Sequence, residues 1–564
     1  MIVAWDFANF LESARNIAVR REKKAILAES QMKLKLDDSS WPSLGLPDTK
    51  RLSLGIQHDM SRFQRDYIDI IPPTWTAISI SLSDSRNELS ITKFQAGQSP
   101  FVLRLPLGRI NSLDADEEAF GFEQGHAELR EIIQLANESS HDARDMSTTA
   151  AKEAWWEERE GLDARLKDLL GNIEKVWLGG FTGIFSQHAR RIELLARFQK
   201  SFTNILDKHL PSRQKNSKKA ASPCIALDPR ILELFVGLGD ASVEECDFSE
   251  PLNDLLYFVV DVLQFHGELN AYAEIDFDSI MIETHDALRR YHEAAKLSTK
   301  SDKGRHTILI LDKALHAFPW ESLPCMDGMA VSRLSSLSCL RDRILAQKED
   351  IPEDAPVGKY INRDKISYIL NPDGDLKNTH AKFSKPLQSL NEWRAIVKRE
   401  PTEEEMKASL SDSELFLYFG HGCGSQYIRA REIRKLEKCA VTVLMGCSSG
   451  ALTDAGEFES HGTAVHYMQA GCPALVGILW DVTDRDIDRF AQSTFDHWDL
   501  YGKRCGSPTS GVKGKGKKKA GEKEETAEDK VSLVEAVARG RKACQLRYVT
   551  AAAVVVYGVP VYFK

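Results

Sequence analysis

Six short, continuously apolar runs dominate the second half of the chain: "HTILILD" (306–312), "KISYILN" (365–371), "ELFLYFG" (414–420), "AVTVLMG" (440–446), "PALVGILW" (473–480) and "AAAVVVYGVPVYF" (551–563). A strand that is apolar at nearly every position must be covered on both faces. Helical patterns separate several of these runs: "PTEEEMKASLS", "HGTAVHYMQAG", "RDIDRFAQSTFDHW" and "VSLVEAVARGRKACQ". The alternation predicts an α/β fold with a mostly parallel sheet flanked by helices. In such sheets, functional groups gather at the carboxyl ends of the strands.

The first half reads differently. "WTAISISLSD" and "ELSITKF" alternate as half-buried strands do, and "PFVLRLPLGR" follows them. From about 114 to 298 the pattern is helical, broken by the basic loop "PSRQKNSKKAASP" (211–223). Residues 1–35 read as a charged helix leading into a turn-rich piece. The expected division is 1–50, a helical or linker segment; 51–300, a domain carrying the helical insertion; and 301–564, the α/β domain. Within the last, 503–530 is Gly/Lys/Glu-rich and is expected to be a disordered insertion. Its Gly511, Gly516 and Lys517 approach a P-loop, but Lys518 stands where the magnesium-binding Ser or Thr belongs.

A net charge of −9 excludes a globally basic nucleic-acid footprint. The two basic tracts, 211–220 and 511–519, are short and lack interleaved aromatics, so nucleic acid is not expected as a direct ligand. The 10 cysteines contain no CxxC pair, which argues against a zinc ribbon and for a reducing compartment. No run is long enough to span a bilayer, and the start carries Asp6 rather than a signal-peptide pattern.

Chemistry concentrates at two strand ends. "FLYFGHGCGS" ends in His421 between glycines, and "TVLMGCSSG" places Cys447 one residue past Gly446. The 25 intervening residues, 422–446, suffice for one crossover, which would make the two strands near neighbours with both ends on one edge. A thiol beside an imidazole is the constellation of nucleophilic acyl transfer. The backbone N–H groups of Gly422 and Cys447 are the candidate oxyanion donors. Alternatives stay open on spacing alone. Cys423 is a competing thiol, Ser448 and Ser449 lie outside a G-x-S-x-G elbow, and a metal site on His421, Cys423 and Cys447 lacks a fourth ligand at recognisable spacing.

Together, "FLYFGHGCGSQYI" and "VLMGCSSGAL" resemble the His and Cys motifs of separase, the caspase-like clan CD cysteine endopeptidase. "FPWESLP" (318–324), "GILWDVTDRDIDRF" (477–490), the closing "VVVYGVPVYF" and the prelude "PPTWTAISISLS…FVLRLPLGR" extend the resemblance over roughly 65–564. Bacterial CHAT proteases share the His and Cys motifs, but "PWESLP" and "DVTDRDIDRF" are closer to separase.

The resemblance implies a caspase-like sheet with His421 as general base and acid and Cys447 as nucleophile, and no cofactor. It implies that 51–300 is a substrate-binding, pseudo-protease-like domain. It also implies cleavage of the kleisin subunit of cohesin after arginine at anaphase, with securin as inhibitory chaperone, in cytoplasm and nucleus. Family members carry a large N-terminal helical-repeat region that this sequence lacks.

Arginine specificity needs carboxylates in a partly dry pocket. The loop after "PALVGILW" offers Asp481, Asp484 and Asp488, with Asp488 and Asp481 as the preferred pair; Asp486 lies off the face shared by Asp484 and Asp488. Trp320 and Glu321 are expected to be structural. The alternative function is a catalytically silent caspase-like scaffold that binds the same partners.

Overall fold

The computed structural model describes residues 2–15, 17, 21, 24, 56–108, 120–141, 148–188, 190–214, 225–243, 248–297, 304–347, 355–388, 394–456, 458–502 and 530–564. Its strands are β1 (Trp75–Leu82), β2 (Glu88–Phe94), β3 (Phe101–Pro106), β4 (His306–Leu311), β5 (Val331–Arg333), β6 (Lys359–Ile361), β7 (Ile366–Leu370), β8 (Arg394–Val397), β9 (Leu415–Phe419), β10 (Val441–Leu444), β11 (Thr453–Ala455), β12 (Phe458–His461), β13 (Ala474–Ile478), β14 (Val554–Gly558) and β15 (Val561–Phe563). Eleven of them form one sheet in the order β3-β2-β1-β4-β5-β14-β13-β10-β9-β7-β8. The pairs β11–β12 and β6–β15 stand apart from it.

The sheet has two parallel blocks. Strands β13, β10, β9, β7 and β8 run one way. Strands β1, β4, β5 and β14 run together, and the antiparallel β13–β14 joint turns them against the first block. Carboxyl ends of the first block and amino ends of the second therefore share one edge.

The six apolar runs are found as β4, β7, β9, β10, β13 and the pair β14–β15. The last run is split at Val559-Pro560, because proline has no N–H for the ladder. β5 and β8 escape sequence reading because three or four residues carry no usable period. β1 departs from the half-buried expectation, since seven of its eight residues are buried. The reason is that helices cover both faces. Ile78 and Ile80 join the helices of the 122–296 region. Ala77 packs instead with Trp5 and Phe63 of the N-terminal helices. Through the β1–β4 pairing (Ile78 opposite Leu309) the sheet runs continuously across residues 300/301.

On the first face, Leu417, Val443 and Val476 meet Phe383, Phe490 and Phe495 from the helices Lys377–Gln388 and Asp484–His497. On the opposite face, Phe416, Tyr418 and Leu444 meet Met406, Ile433 and Tyr467. Each such side chain contributes roughly 1.5–3 kcal/mol on burial, so strand ends set between these layers are held firmly.

Trp320 and Glu321 are structural, as expected. Arg333 of β5 donates to both Glu321 oxygens at 2.6 and 2.7 Å, with both side chains 1% exposed. Trp320 Nε1 donates to the Leu315 carbonyl at 3.0 Å. The N-terminal helix spans Ile2–Ala14, Ile17, Arg21 and Lys24 beyond it are also helical, and residues 16, 18–20, 22–23 and 25–55 lie outside the described ones. So do 215–224 and 503–529, which hold most of the basic loop and the low-complexity insertion. Among the described residues no helix is long and apolar enough to cross a membrane.

Candidate active site

β9 and β10 are parallel neighbours, with Tyr418 opposite Leu444. His421 and Cys447 each lie three residues past that pair, so the register itself brings them to one level of one sheet edge. Two glycines make the approach possible. Gly422 has φ +59°, a conformation side chains rarely adopt. A Cβ on Gly446 would stand 2.0 Å from the Gly422 carbonyl oxygen and 2.6 Å from that of Gly420. The two strand ends therefore touch backbone to backbone. Beyond Cys447 the chain turns through Ser448 at φ +55°, a position where a non-glycine residue is strained and which is typical of functional turns.

His421 and Cys447 line one cleft with Leu376, Thr379, Val482, Asp484 and Asp488. His421 Nε2 lies 2.8 Å from Asp375 Oδ2, both side chains more than half exposed. Burial works against ionisation of Asp375, but the hydrogen bond and charge of His421 bring its carboxyl below the usual value. Asp375 follows β7, the other neighbour of β9. It is delivered by a turn in which Asn371, at φ +51°, donates its N–H to the Phe419 carbonyl at 2.7 Å and accepts from Leu376 N–H at 3.0 Å.

The Cys447 thiol donates to the Val482 carbonyl at 3.6 Å. Burial pushes its pKa up, and the charges of Asp481 and Asp484 add to the shift. Among the described residues neither the Gly422 N–H nor the Cys447 N–H donates to another residue's backbone, and the Cys447 N–H bonds its own sulfur, which works to lower the thiol's pKa.

The three acids separate. Asp484 and Asp488 line the cleft, four residues apart on one helix face. Asp488 is 5% exposed and accepts from Thr379 Oγ1 at 3.0 Å. Desolvation raises it to about 6, against the opposing pull of Thr379 and Lys382. Asp484 is also raised by desolvation, although its residue keeps an exposed surface. Asp481, preferred with Asp488 from sequence, instead accepts from the Ser448 hydroxyl at 2.7 Å. Its backbone N–H donates to Asn137 Oδ1 of the helical region at 3.1 Å. It is thus occupied in shaping the Cys447 turn. Asp486 is buried and accepts from the N–H groups of Gln545 and Leu546, a structural duty.

Cys423 packs into the opposite-face core with Tyr427 and Leu436, away from the cleft. Ser449 is buried and donates to the Leu444 carbonyl. Asp373, Asp375 and His421 offer three ligand atoms within 4.8 Å of one another. A cation held there would occupy His421 and compete with any base role for it.

Sequence comparison places this geometry in a family. A sequence model described as "Separin, protease domain" matches residues 84–487. The separin of Emericella nidulans is 49% identical over 553 residues, 98% of this chain. This chain belongs to the separin protease-domain family. The separin of Schizosaccharomyces pombe is 39% identical over 98% of the chain. In the 2.6 Å crystal structure of the Saccharomyces cerevisiae separase–securin complex, one chain is similar with a TM-score of 0.75. It is 32% identical and covers 90% of this chain and 31% of that one. The likeness bears out the caspase-like α/β fold. This chain spans about a quarter of the separin relatives' length, 25% and 28% of the two. The separin protease-domain match takes in His421, Cys447, Asp481 and Asp484 and stops one residue short of Asp488. The two separin alignments together with that match cover nearly the whole sheet.

Proposed function

We propose that this chain is the catalytic core of a separase-type cysteine endopeptidase that cuts after arginine. The observation that carries the reading is the single cleft shared by Cys447, His421, Asp484 and Asp488. The P1 guanidinium enters between the buried Asp488 and Asp484, whose surface is exposed at the mouth of the cleft. Its charge also offsets the acids that hold the Cys447 pKa up, so substrate binding itself favours the thiolate. With Asp375 ionised, His421 Nε2–H donates to it, leaving Nδ1 to take the thiol proton. The thiolate adds to the scissile carbonyl, and the oxyanion receives N–H bonds from Gly422 and Cys447. The C–N bond breaks as the imidazolium protonates the leaving amine. Water, deprotonated by His421, then hydrolyses the thioester.

The proposed substrate is the kleisin subunit of cohesin, and the proposed inhibitor is securin, lying in the cleft in place of substrate. The named likeness to a separase–securin complex supports the latter. The proposed location is cytoplasm and nucleus. One observation favours a catalytically silent scaffold instead: the thiol faces the Val482 carbonyl and its pKa is raised.

Labelling separates the two readings. Incubated with a peptidyl acyloxymethyl ketone ending in arginine, the chain will carry one adduct, on Cys447, by mass spectrometry. An aspartate-ended probe will leave it unlabelled. Absence of an adduct on folded, securin-free chain would favour the scaffold.

Asp375→Asn tests the orienting role. Because Asp375 is exposed, the loss of kcat is expected to be about 10-fold, below the roughly 10⁴-fold of a buried triad aspartate. An unchanged kcat would remove Asp375 from the mechanism.

A further inference from the structure

The turn that carries Cys447 is fixed in two halves. Its far half belongs to the sheet: Gly450 N–H donates to the Ile478 carbonyl at 2.8 Å, and Ile478 N–H donates to Ser449 Oγ at 3.1 Å. Its near half, next to the nucleophile, is held by the peptide unit between Trp480 and Asp481. Ser448 N–H donates to the Trp480 carbonyl at 3.4 Å, and the Ser448 hydroxyl donates to Asp481 Oδ1 at 2.7 Å. Ser448 has φ +55°, and a strained backbone of this kind persists only where its surroundings enforce it. The placement of Cys447 therefore depends on what holds residues 480 and 481.

The helical region holds them. The N–H of the same Trp480–Asp481 peptide unit donates to Asn137 Oδ1, on the helix Phe122–His141, at 3.1 Å. A peptide unit whose carbonyl accepts from Ser448 and whose N–H donates to Asn137 cannot tilt without losing one bond or both. The Trp480 side chain is tied to the same region. Its Nε1 donates to the Val549 carbonyl at 2.7 Å, and the N–H groups of Tyr548 and Val549 donate to Asp163 Oδ1 at 2.7 and 2.8 Å. Asp163 lies on the helix Thr149–Asn172. The two helices are locked together beside these bonds. Arg159, fully buried, donates to the Ala136 carbonyl at 2.7 Å and to the Ser140 hydroxyl at 3.0 Å, on either side of Asn137.

We propose that Asn137 is a positioning residue for the cleavage reaction: through the Trp480–Asp481 peptide unit it holds the Ser448 turn, and with it the Cys447 sulfur, in place for attack. This role rests on the endopeptidase reading above. Asn137 is not among the residues that line the cleft, so it acts through the turn and not on the substrate. The S1 acids are anchored separately. Asp488 belongs to the helix Asp484–His497, whose Phe490 and Phe495 sit in the core, and Thr379 holds its carboxyl. Loss of the Asn137 acceptor therefore disturbs attack and spares substrate binding.

Steady-state cleavage of an arginine peptide by the full chain tests this. Asn137→Leu removes the acceptor at similar volume, and kcat is expected to fall about 10–100-fold, the scale set by a small misplacement of reacting groups. KM will stay within about two-fold of wild type, as for an interaction made only in the transition state, and the unfolding temperature will not change. Asn137→Asp, which keeps an acceptor oxygen, will recover most of the lost kcat. Should Asn137→Leu fail to fold, Asn137→Ala supplies the same comparison. An unchanged kcat in a folded variant without the acceptor, or Asn137→Asp no better than Asn137→Leu, would overturn the role of Asn137 alone. So would a raised KM with kcat intact, which would place Asn137 in substrate binding. A wild-type chain that neither cleaves the peptide nor takes up the arginine ketone would overturn the endopeptidase reading, and this role with it.

Discussion

Cys447→Ser will abolish cleavage of an arginine substrate, with kcat falling on the order of 10⁴-fold or more, as when the nucleophile of a catalytic unit is lost. The fold will be indifferent to the change. Cys447 is only partly buried, and its sulfur makes one long bond, to the Val482 carbonyl at 3.6 Å. A serine fits the same space and can donate to the same oxygen. What disappears is acidity: a thiol ionises about 8.5 in water and can be brought into range by a nearby cation, whereas a hydroxyl cannot. Single-turnover cleavage beside thermal unfolding measures both halves of this expectation. Residual cleavage near the wild-type rate would move the nucleophile elsewhere, although Cys423 faces the opposite core.

Asp488→Asn will separate function from stability, and in opposite directions. Removing one partner of a buried charge pair costs about 2–5 kcal/mol of binding, so kcat/KM for an arginine substrate should fall roughly 10²–10³-fold. The stability effect runs the other way. The folded carboxyl sits at about 6 against an ordinary 3.8, raised by desolvation. Below about pH 4 it is neutral in both states, and asparagine should match it. Between pH 4 and 6 the unfolded chain releases its proton first, so native stability declines as pH rises. Above 6 the full penalty persists, at most about 3 kcal/mol for two pKa units. The variant escapes that penalty while its amide oxygen still accepts from Thr379. Melting the two proteins across pH 4–8 should show curves that coincide at the acid end and diverge toward neutrality. In the wild-type enzyme, kcat/KM for an arginine substrate should drop below about pH 6 as Asp488 protonates. A variant that melts lower at pH 7, or cleaves unchanged, would contradict the account.

Legibility in the sequence followed how locally each feature is encoded. The His421 and Cys447 placement was readable because apolar runs, glycines and polar ends lie within a dozen residues, and one crossover forces parallel neighbours. Asp484 and Asp488 were readable for the same reason, four residues apart on one helix. Asp375 was not read, although "KISYILNPDGD" is also a strand ending in acids, and the carboxyl-end rule pointed there. Nothing local says that β7 lies beside β9, so nothing tied Asp375 to His421, 46 residues away. The partner of Asp481 was not read, because a strand end does not reveal which way its side chain turns; the fold sets it against the Ser448 hydroxyl.

Sequence alone determined the elements with a strong short-range period, the α/β class, and the two residues whose chemistry sits at strand ends. Tertiary structure decided the strand order, the antiparallel β13–β14 joint that turns two blocks into one sheet, and the burial that raises Asp488. It also decided the meeting of Asn137 with the Asp481 amide, 344 residues away. The physical reason is that hydrophobic period and backbone preference act over a few residues. Desolvation and charge depend on whatever the fold brings alongside, and no local pattern records that.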